Sequence, residues 1–446
     1  DQNVYGGGEV ATVGRYWVNI TPAMAGAPPV PSGVRPGMPY QQRSGGLCTV
    51  IVKGHSEIGP DNAAATESAG HVFGAGKGAM PAYSATTSKK MTQAGDLEPF
   101  AAETGKTAED VYKEFLETLA LATHTSVTIG DAADASGDVK VKGSVYGGSE
   151  NGFVQHNTSV SIQKGSTIGT TNSFGDVYGG GKGYAGFAAA GRVTGHATTS
   201  VSDGTAYGSV YGGGQMGVTK GGVNVTISGG EVKKDVYGGG ALADTNTDDY
   251  ELVFGLTSTS SVKGLYTKTS GTSGDTYTEI TTETSAQDGT EYYRKTATTV
   301  DLTGGIIDGD VYGGGLGQIA GSGISAIEAK VYGDVTVQLG EESSTNATAF
   351  NVTYATDGNG AITSATSGRI FGCNNLNGSP QGNVTVNVYG TRKATGDRLA
   401  KLDYLTATDA QVDADRYEVA GVYGGGDLAS YRPTSGSTTG NIYGWH

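Results

Sequence analysis

A short phrase recurs along the chain: a β-branched residue, an aromatic residue and a glycine, usually followed by further glycines. Ten copies begin at Val4, Val72, Val145, Val177, Val210, Val236, Val311, Ile370, Val422 and Ile442. Such repetition is the signature of repeat folds, in which a unit buries its apolar residues only against neighbouring units. The sequence therefore predicts a single repeat array over residues 1–446 rather than several independent domains.

A second phrase, in which apolar and polar residues alternate, precedes most copies of the first. It stands at residues 49–52, 126–129, 159–162, 223–227, 300–302, 335–339 and 384–388. A period of two indicates a strand with one buried face. Stacked units would place like residues on one another and satisfy the backbone between successive units. The predicted fold is all-β, a parallel β-solenoid (β-helix) with hairpin insertions and one short α-helical insertion.

The aromatic residues of the first phrase are expected to stack as one ladder along the array. Its members are Tyr5, Phe73, Tyr146, Tyr178, Tyr211, Tyr237, Tyr312, Phe371, Tyr423 and Tyr443. Glycine makes up 77 of the 446 residues and suits the sharp corners and close backbone approaches of such a fold. The shorter spacings between copies predict a unit of about 20–33 residues. The longer gaps hold either insertions or units whose motif has degraded.

Four insertions are predicted in the longer gaps. Residues 75–123 contain a helix over 107–122, with a capping box formed by Thr107 and Asp110. This helix either packs on the array or binds a partner. Residues 241–298 predict a β-hairpin arm with its turn at 285–289. Smaller insertions are predicted at 341–367, with a hairpin turn near 357–360, and at 391–418.

The charge of the chain excludes some classes of partner. The net charge is −15, whereas nucleic acid and anionic membrane surfaces bind clustered Lys and Arg. No apolar run reaches the length of a membrane-spanning helix. The two cysteines, Cys48 and Cys373, fall in early and late units. They are therefore expected to lie too far apart for a disulfide and to be free thiols.

The second insertion contains two sets of candidate binding residues. Tyr250, Tyr266, Tyr277, Tyr292 and Tyr293 form a candidate platform on which a glycan would stack, although packing within the hairpin also explains them. Asp244, Asn246 and Asp248 have the one-three-five spacing of calcium ligands. They lack the glycine and the glutamate of an EF-hand loop. Apart from this candidate calcium site, no cofactor is expected.

A third set of acidic residues recurs immediately before the Val-Tyr-Gly phrase, at Asp176, Asp235 and Asp310. Stacked, they would form either a metal or sugar site or a row of turn residues that bond the backbone. None of the six histidines lies in a recognisable hydrolase motif, and no glycine cluster is followed by the Lys-Ser/Thr of a phosphate loop. The chain is therefore not expected to be an enzyme, and a polysaccharide lyase or hydrolase is the less favoured alternative.

The Val-Tyr-Gly-Gly-Gly phrase, following an alternating strand and a Gly-Gly turn, resembles the glycine-rich repeats of large bacterial cell-surface proteins, an adhesin-like β-helix family. The resemblance covers the array but not the insertions. It implies secretion and attachment to the cell surface through segments outside this sequence, since both ends of the chain fall within a repeat.

The expected function is that of an extracellular structural or adhesive repeat protein, either a rigid stalk or a fibre-forming surface component. Its expected partners are further copies of itself, or glycans or proteins of host or microbial surfaces. The alternative is a glycan-binding surface module.

Overall fold

The computed structural model describes residues 3–13, 16–17, 40–41, 46–60, 69–78, 83–91, 96–117, 120–134, 136–171, 175–185, 187–272, 274–342, 346–360, 362–391, 419–433 and 436–442. The chain is mostly β, with one short helix among these residues. Its two large sheets are entirely parallel. The prediction of a parallel, β-rich chain with one short helix is therefore confirmed.

The first large sheet, the aromatic sheet, consists of the recurring Val-Tyr phrase. Its nine strands, in spatial order, are Val4–Tyr5, Val72–Phe73, Val145–Tyr146, Val177–Tyr178, Val210–Tyr211, Val236–Tyr237, Val311–Tyr312, Arg369–Phe371 and Gly421–Tyr423. The spatial order equals the order along the chain. Consequently the long gaps between copies contain insertions and no additional strand of this sheet among the described residues.

The second large sheet, the long sheet, is built from the alternating phrase. Its main path contains Leu47–Val52, His124–Ile129, Thr158–Ile162, Ala197–Val201, Val223–Val232, Ala297–Ile307, Asp334–Leu339, Val384–Val388 and Thr438–Ile442. Shorter strands flank it at Glu57–Ile58, Val139–Val141, Ser166–Ile168, Thr205–Ala206 and Ala349–Phe350. Neighbouring strands pair in register, so that Val127 lies opposite both Val50 and Val160.

A third set of parallel pairings, the third ladder, connects the two sheets in sequence. It runs through Val13, Ala122, Val154, Val193, Thr219, Thr245, Val331 and Pro380. Each of the first eight repeats therefore passes from the aromatic sheet to the third ladder and then to the long sheet before it returns to the aromatic sheet. In the ninth repeat Gly421–Tyr423 is followed by Thr438–Ile442, with no rung of the third ladder among the described residues. A ladder of one or two residues per repeat has no sequence period, which is why only the structure reveals it.

The core follows from this stacking. The inward valines, isoleucines and leucines of both sheets form one continuous buried cluster, and the aromatic rings form a second one. Glycines beside the rings allow successive repeats to approach. A Cβ on Gly238 would lie 2.3 Å from the carbonyl oxygen of Gly313, a separation that no carbon–oxygen contact tolerates.

The single helix is shorter than predicted. It spans Ala108–Leu116, and the predicted capping box of Thr107 and Asp110 is present. The expected end at residue 122 is wrong, because Ala120 has a φ of 51° and Leu121–Ala122 pairs in parallel with Phe153–Val154. Pairing with the next repeat therefore ends the helix. The helix packs beside Phe153 and Phe187 of the array, and a hairpin of Lys89–Met91 and Leu97–Pro99 precedes it.

The second insertion forms a four-stranded antiparallel sheet, the insertion sheet. Its strands, in spatial order, are Tyr250–Leu252, Tyr293–Lys295, Tyr266–Gly271 and Gly274–Glu279. The strands of the hairpin are joined between Gly271 and Gly274, so the prediction that 285–289 is the turn of the hairpin is wrong. Residues 287–290 do form a turn, but it leads into the strand that returns to the array.

The remaining predicted insertions have different outcomes. Within 341–367, Tyr354–Thr356 and Ile362–Ala365 form the expected hairpin. Ala349–Phe350, however, pairs in parallel with the long sheet and belongs to the array. The insertion at 391–418 lies outside the described residues except for Thr391. The two-stranded pair Tyr16–Trp17 and Tyr40–Gln41 completes the strands.

The tenth copy of the recurring phrase is not part of the aromatic sheet. Ile442 pairs with Val388 in the long sheet, and Tyr443 lies outside the described residues. The phrase Val388-Tyr389-Gly390 likewise ends a strand of the long sheet. The aromatic-glycine signal therefore follows strands of both sheets, and the preceding alternation decides between them.

Cys48 and Cys373 are both free, as predicted, and the structure shows that both are buried. Burial raises the pKa of Cys48 to about 11 and that of Cys373 to about 12, so both are protonated thiols at neutral pH. In the described part of the chain, no helix is long and apolar enough to cross a membrane.

Candidate functional site

The insertion sheet is fastened to the array by a buried carboxylate. Glu251, in the first strand of the sheet, accepts hydrogen bonds from the backbone N–H of Gly222 (2.7 Å) and pairs with Nδ1 of His196 (2.9 Å). Arg294, on the neighbouring strand, donates to the same carboxylate. Burial would raise the pKa of Glu251, but His196 and Arg294 outweigh it and hold the pKa below its ordinary value. The sheet therefore stands at a fixed place on the array.

Four of the five predicted platform tyrosines come together on this sheet. The rings of Tyr250 and Tyr277 stack with centroids 4.0 Å apart. Tyr266 meets Tyr250 edge-on at 4.9 Å, and Tyr293 meets Tyr277 edge-on at 5.3 Å. Much of the ring surface is thus used within the cluster, as in the hairpin-packing alternative.

Tyr292 does not join this cluster. It packs with Val262 and Ala286 in a separate small core, and its hydroxyl accepts the backbone N–H of Gln287. A platform of five tyrosines is therefore absent. In a twisted antiparallel sheet, the adjacent Tyr292 and Tyr293 point to opposite faces, which explains why only one of them meets the cluster.

Two open clefts meet beside the tyrosine cluster. One, of about 600 Å³, is lined by Asp248, Asp249, Tyr250, Asp275 and Tyr277, among others. The second, of about 360 Å³, is lined by Asp249, Lys295, Tyr332, Asp334 and Asn383, among others. Asp249 borders both clefts, so together they form a polar groove between the insertion sheet and the array.

Tyr332 is the most exposed aromatic residue of this groove, with 43% of the residue's surface accessible. Its backbone N–H donates to Thr245 in the third ladder (3.0 Å), and its hydroxyl reaches Asp244 (3.4 Å). The ring is therefore fixed while its surface remains open. Sequence reasoning missed it because Val331-Tyr332-Gly333 looks like a further copy of the buried phrase.

The three candidate calcium ligands point to different partners. Asp244 accepts the backbone N–H of Lys330 (2.9 Å), and Asp248 pairs with Lys220 (2.9 Å). Asn246 is buried with a φ of 55° and accepts the hydroxyl of Thr298 (2.6 Å). The segment is a rung of the third ladder, which turns these side chains apart. Among the described residues, no group of three His, Cys, Asp or Glu side chains could hold a metal ion.

The acidic residues that precede the Val-Tyr-Gly phrase belong to a longer row, the corner row. Its members, one per repeat, are Asn3, His71, Ser144, Asp176, Ser209, Asp235, Asp310 and Arg369. In most steps the side chain of one member accepts a hydrogen bond from the backbone N–H of the next member. Named as donor and then acceptor, these bonds are His71 to Asn3 (2.8 Å), Ser144 to His71 (2.8 Å), Asp176 to Ser144 (3.2 Å), Ser209 to Asp176 (2.7 Å), Asp310 to Asp235 (2.9 Å) and Arg369 to Asp310 (2.8 Å).

The second oxygens of these carboxylates are also occupied. Tyr178 donates to Asp176 and Tyr237 to Asp235, both at 3.0 Å, while Arg369 pairs with Asp310 at 2.6 Å. Burial raises the pKa of Asp176 and of Asp235. The side chains of the corner row therefore accept hydrogen bonds from the backbone and do not form a metal or sugar site. The backbone that they bond belongs to the next repeat and not to their own turn.

The ladder of aromatic rings extends through nine repeats. Each ring from Tyr5 to Tyr423 stacks on the next, with centroids 4.7–5.1 Å apart. The tyrosine hydroxyls reach polar partners at the edge of the stack, such as Gln215 for Tyr146 (2.9 Å). The rings and the corner row thus define one step per repeat.

Comparison with known proteins identifies no relative. No model of a protein family matches the sequence, and neither the curated proteins nor the solved structures give a significant match.

Proposed function

We propose that this chain is a parallel β-solenoid that serves as an extracellular structural or adhesive stalk. The observation that carries the proposal is the passage of successive repeats through the aromatic sheet and the long sheet, with one ring step of 4.7–5.1 Å per repeat. An array of this kind is continuous, because each repeat packs on its neighbours along the axis, so it is stiff along that axis. The insertion sheet, fixed by Glu251, is then held to one side.

The bacterial surface repeats that the sequence resembles support the same role. An excess of acidic residues, with a net charge of −15, keeps such a surface protein soluble and limits non-specific association. Serine, threonine and asparagine predominate on the outer face of the central strands of the long sheet. We infer that the repeats act as a spacer and the insertions as the variable, displayed parts.

Labelling of intact cells that produce the protein tests this proposal. Antibodies against residues 250–295 should label the outside of unpermeabilised cells. Labelling that appears only after permeabilisation would contradict an extracellular role. Sedimentation velocity of the purified chain distinguishes the two structural forms, because a stalk stays monomeric as concentration rises and a fibre-forming component does not.

A glycan-binding module is the second candidate function. The observation that favours it is the groove beside the tyrosine cluster, formed by the two clefts that Asp249 borders. Sugar rings present apolar C–H faces and a rim of hydroxyls, and the groove offers aromatic rings and polar side chains within reach of one another. Binding of the purified chain to a glycan array tests this function, and an array without bound glycan would contradict it.

A further inference from the structure

We propose that the groove between the insertion sheet and the array binds a non-anionic glycan, neutral or amino-sugar, with Tyr332 as its stacking residue. The inference rests on the second candidate function and adds the place and the class of the ligand. It replaces the five tyrosines predicted from sequence by a ring that lies on the array itself.

The first argument is the availability of the Tyr332 ring. Tyr250 and Tyr277 cover one another's faces at 4.0 Å, and Tyr293 is buried. Tyr332 is 43% exposed and is held from behind by its bonds to Thr245 and Asp244. A ring that is already fixed loses little conformational entropy when a ligand stacks on it.

The second argument is the set of polar groups that face the ring. Within the described part of the chain, no hydrogen bond or ion pair occupies the carboxylate of Asp249 or the ammonium of Lys295. Both side chains are exposed and line the same cleft as Tyr332. One is an acceptor and the other a donor, the combination that a pair of neighbouring sugar hydroxyls can satisfy.

Further along the cleft, the carboxylate of Asp334 accepts the backbone N–H of Asn383 (2.8 Å). The same carboxylate holds the side-chain amide of Asn383 at 3.3 Å. These two exposed groups are thereby oriented before any ligand arrives. Preorganised polar groups fix the orientation of a ligand in an open site.

The third argument concerns charge. Asp249 and Asp334 line the second cleft, and Asp248 and Asp275 line the first, against the single cation Lys295 on the walls of the two clefts. Lys220 neutralises Asp248, and Lys268 neutralises Asp275. The groove therefore retains an excess of acceptors, and the whole chain adds a negative field. Polyuronates and sulfated glycans are repelled, whereas hydroxyls and the ammonium group of an amino sugar are accepted.

The test is an array of defined oligosaccharides from four classes: neutral, amino-sugar, uronic-acid and sulfated. The intact chain should bind members of the first two classes only. For the best ligand, titration calorimetry should show that Tyr332→Ala weakens binding by about tenfold or more, the value of one well-placed aromatic contact. Tyr332→Phe retains the ring and should stay within about threefold of the parent.

One control variant outside the groove and one charge variant within it accompany these measurements. Tyr184→Ala removes another exposed ring, 52% accessible, outside the groove and should leave affinity unchanged. Asp249→Asn removes the charge and should weaken amino-sugar binding more than neutral-sugar binding. Retention of full affinity by Tyr332→Ala would overturn the placement of the site.

Each remaining outcome has a distinct meaning. Preference for uronic-acid or sulfated glycans would overturn the ligand class while glycan binding itself stands. If no class binds, both the glycan function and this inference fail. If Tyr277→Ala abolishes binding and Tyr332→Ala does not, the glycan function stands and the ligand lies on the insertion sheet instead.

Discussion

The array and the insertion sheet solve the same problem, burial of apolar residues by β-strands, in opposite ways. In the array the strands of the two large sheets pair in parallel with those of neighbouring repeats, and glycines in its turns touch the backbone of the next repeat. In the insertion sheet the strands are antiparallel, and a Cβ on Gly264 or Gly289 would meet nothing within 4 Å. The array therefore constrains each residue through its neighbours, whereas the insertion is constrained mainly at its base.

This difference shows where sequence change is tolerated. A side chain in the array must fit two adjacent repeats at once, so its ring, valine and glycine positions repeat. A residue in the insertion sheet has to satisfy only a local hairpin and the anchor at Glu251. Variation, and hence recognition, is expected in the insertion and in the groove beside it.

The largest difference between the two regions is expected on removal of an aromatic ring. Tyr237→Ala leaves a cavity between Tyr211 and Tyr312 and should destabilise the array by about 4 kcal/mol. Tyr237→Phe removes only the hydroxyl, which meets Asp235 and Asn375, and should cost about 1 kcal/mol. Chemical denaturation followed by tyrosine fluorescence and circular dichroism measures both.

Tyr250→Ala provides the comparison in the insertion sheet. Tyr250 stacks only on local rings, so this change should leave the unfolding midpoint of the array in place. An equal shift of that midpoint for Tyr237→Ala and Tyr250→Ala would mean that the two regions unfold as one unit.

The next effect concerns glycine. Gly238→Ala would place a methyl group 2.3 Å from the Gly313 carbonyl oxygen and should cost about 3 kcal/mol through overpacking. Gly358→Ala lies in the smaller hairpin, where a Cβ meets nothing within 4 Å, and should change stability by less than about 0.5 kcal/mol. Urea unfolding of the two variants is the measurement. If Gly238→Ala unfolds at the same urea concentration as the parent, the repeats do not approach as closely at Gly238 as described.

A smaller and more local effect is expected at the anchor. Glu251→Gln keeps the shape of the side chain but removes the negative charge with which both His196 and Arg294 pair. The insertion sheet should lose about 2 kcal/mol of protection in hydrogen exchange, while amides of the long sheet keep theirs. Glu328→Gln, at an exposed ion pair with Lys330, is the matched control. Uniform loss of protection across both regions would contradict a local anchor.

The smallest expected effect is a difference in pH dependence. Burial raises the folded-state pKa of Asp176 and Asp235. Keeping these two carboxylates charged at neutral pH therefore costs folding free energy, and that cost disappears as the pH falls through their raised pKa values towards about 4. The pKa of Glu251 is held below its ordinary value. The stability that the charged Glu251 contributes is therefore complete at any pH above the ordinary pKa of a glutamate and is lost as the pH falls below it.

As the pH falls from 7 towards about 4, the array should therefore become more stable while the insertion sheet stays constant, and at about pH 3 the insertion sheet should weaken. Hydrogen exchange at three pH values measures both regions at once. Asp235→Asn should reduce the gain of the array on acidification. A gain that persists undiminished in both Asp176→Asn and Asp235→Asn would assign the effect to other groups.

Most strands of the two large sheets could be predicted because their signals are local, although Ala197–Val201 and Thr438–Ile442 of the long sheet were not predicted. Alternation such as Val384-Thr385-Val386-Asn387-Val388 predicts which face of the strand is buried. The recurring aromatic residue predicts which strands stack on one another. The pairing of repeats followed from the recurrence itself. These features depend on period and composition, which the sequence displays directly.

The groove could not be predicted, because its members have ordinary local patterns. Tyr250-Glu251-Leu252 alternates like any strand, but here the glutamate is the buried residue, since His196 and Arg294 come from distant segments. Tyr332 carries the signature of a buried ring, yet Val331 belongs to the third ladder, which has no sequence period. Two turn signals competed in the insertion, and Gly271–Gly274 closes the hairpin because its flanking strands pair over six positions.

The central claim, one strand spacing per repeat whatever the number of intervening residues, is tested most directly by distances between spin labels along one column of the long sheet. With Cys48 and Cys373 replaced by alanine, one label stands at Thr128 and the other in turn at Asp301, Gln338, Asn387 or Asn441, which follow one another in register. The account predicts narrow distance distributions that grow by about 4.8 Å at each step, although the intervening segments differ in length. Broad distributions, or distances that grow with sequence separation instead, would contradict it.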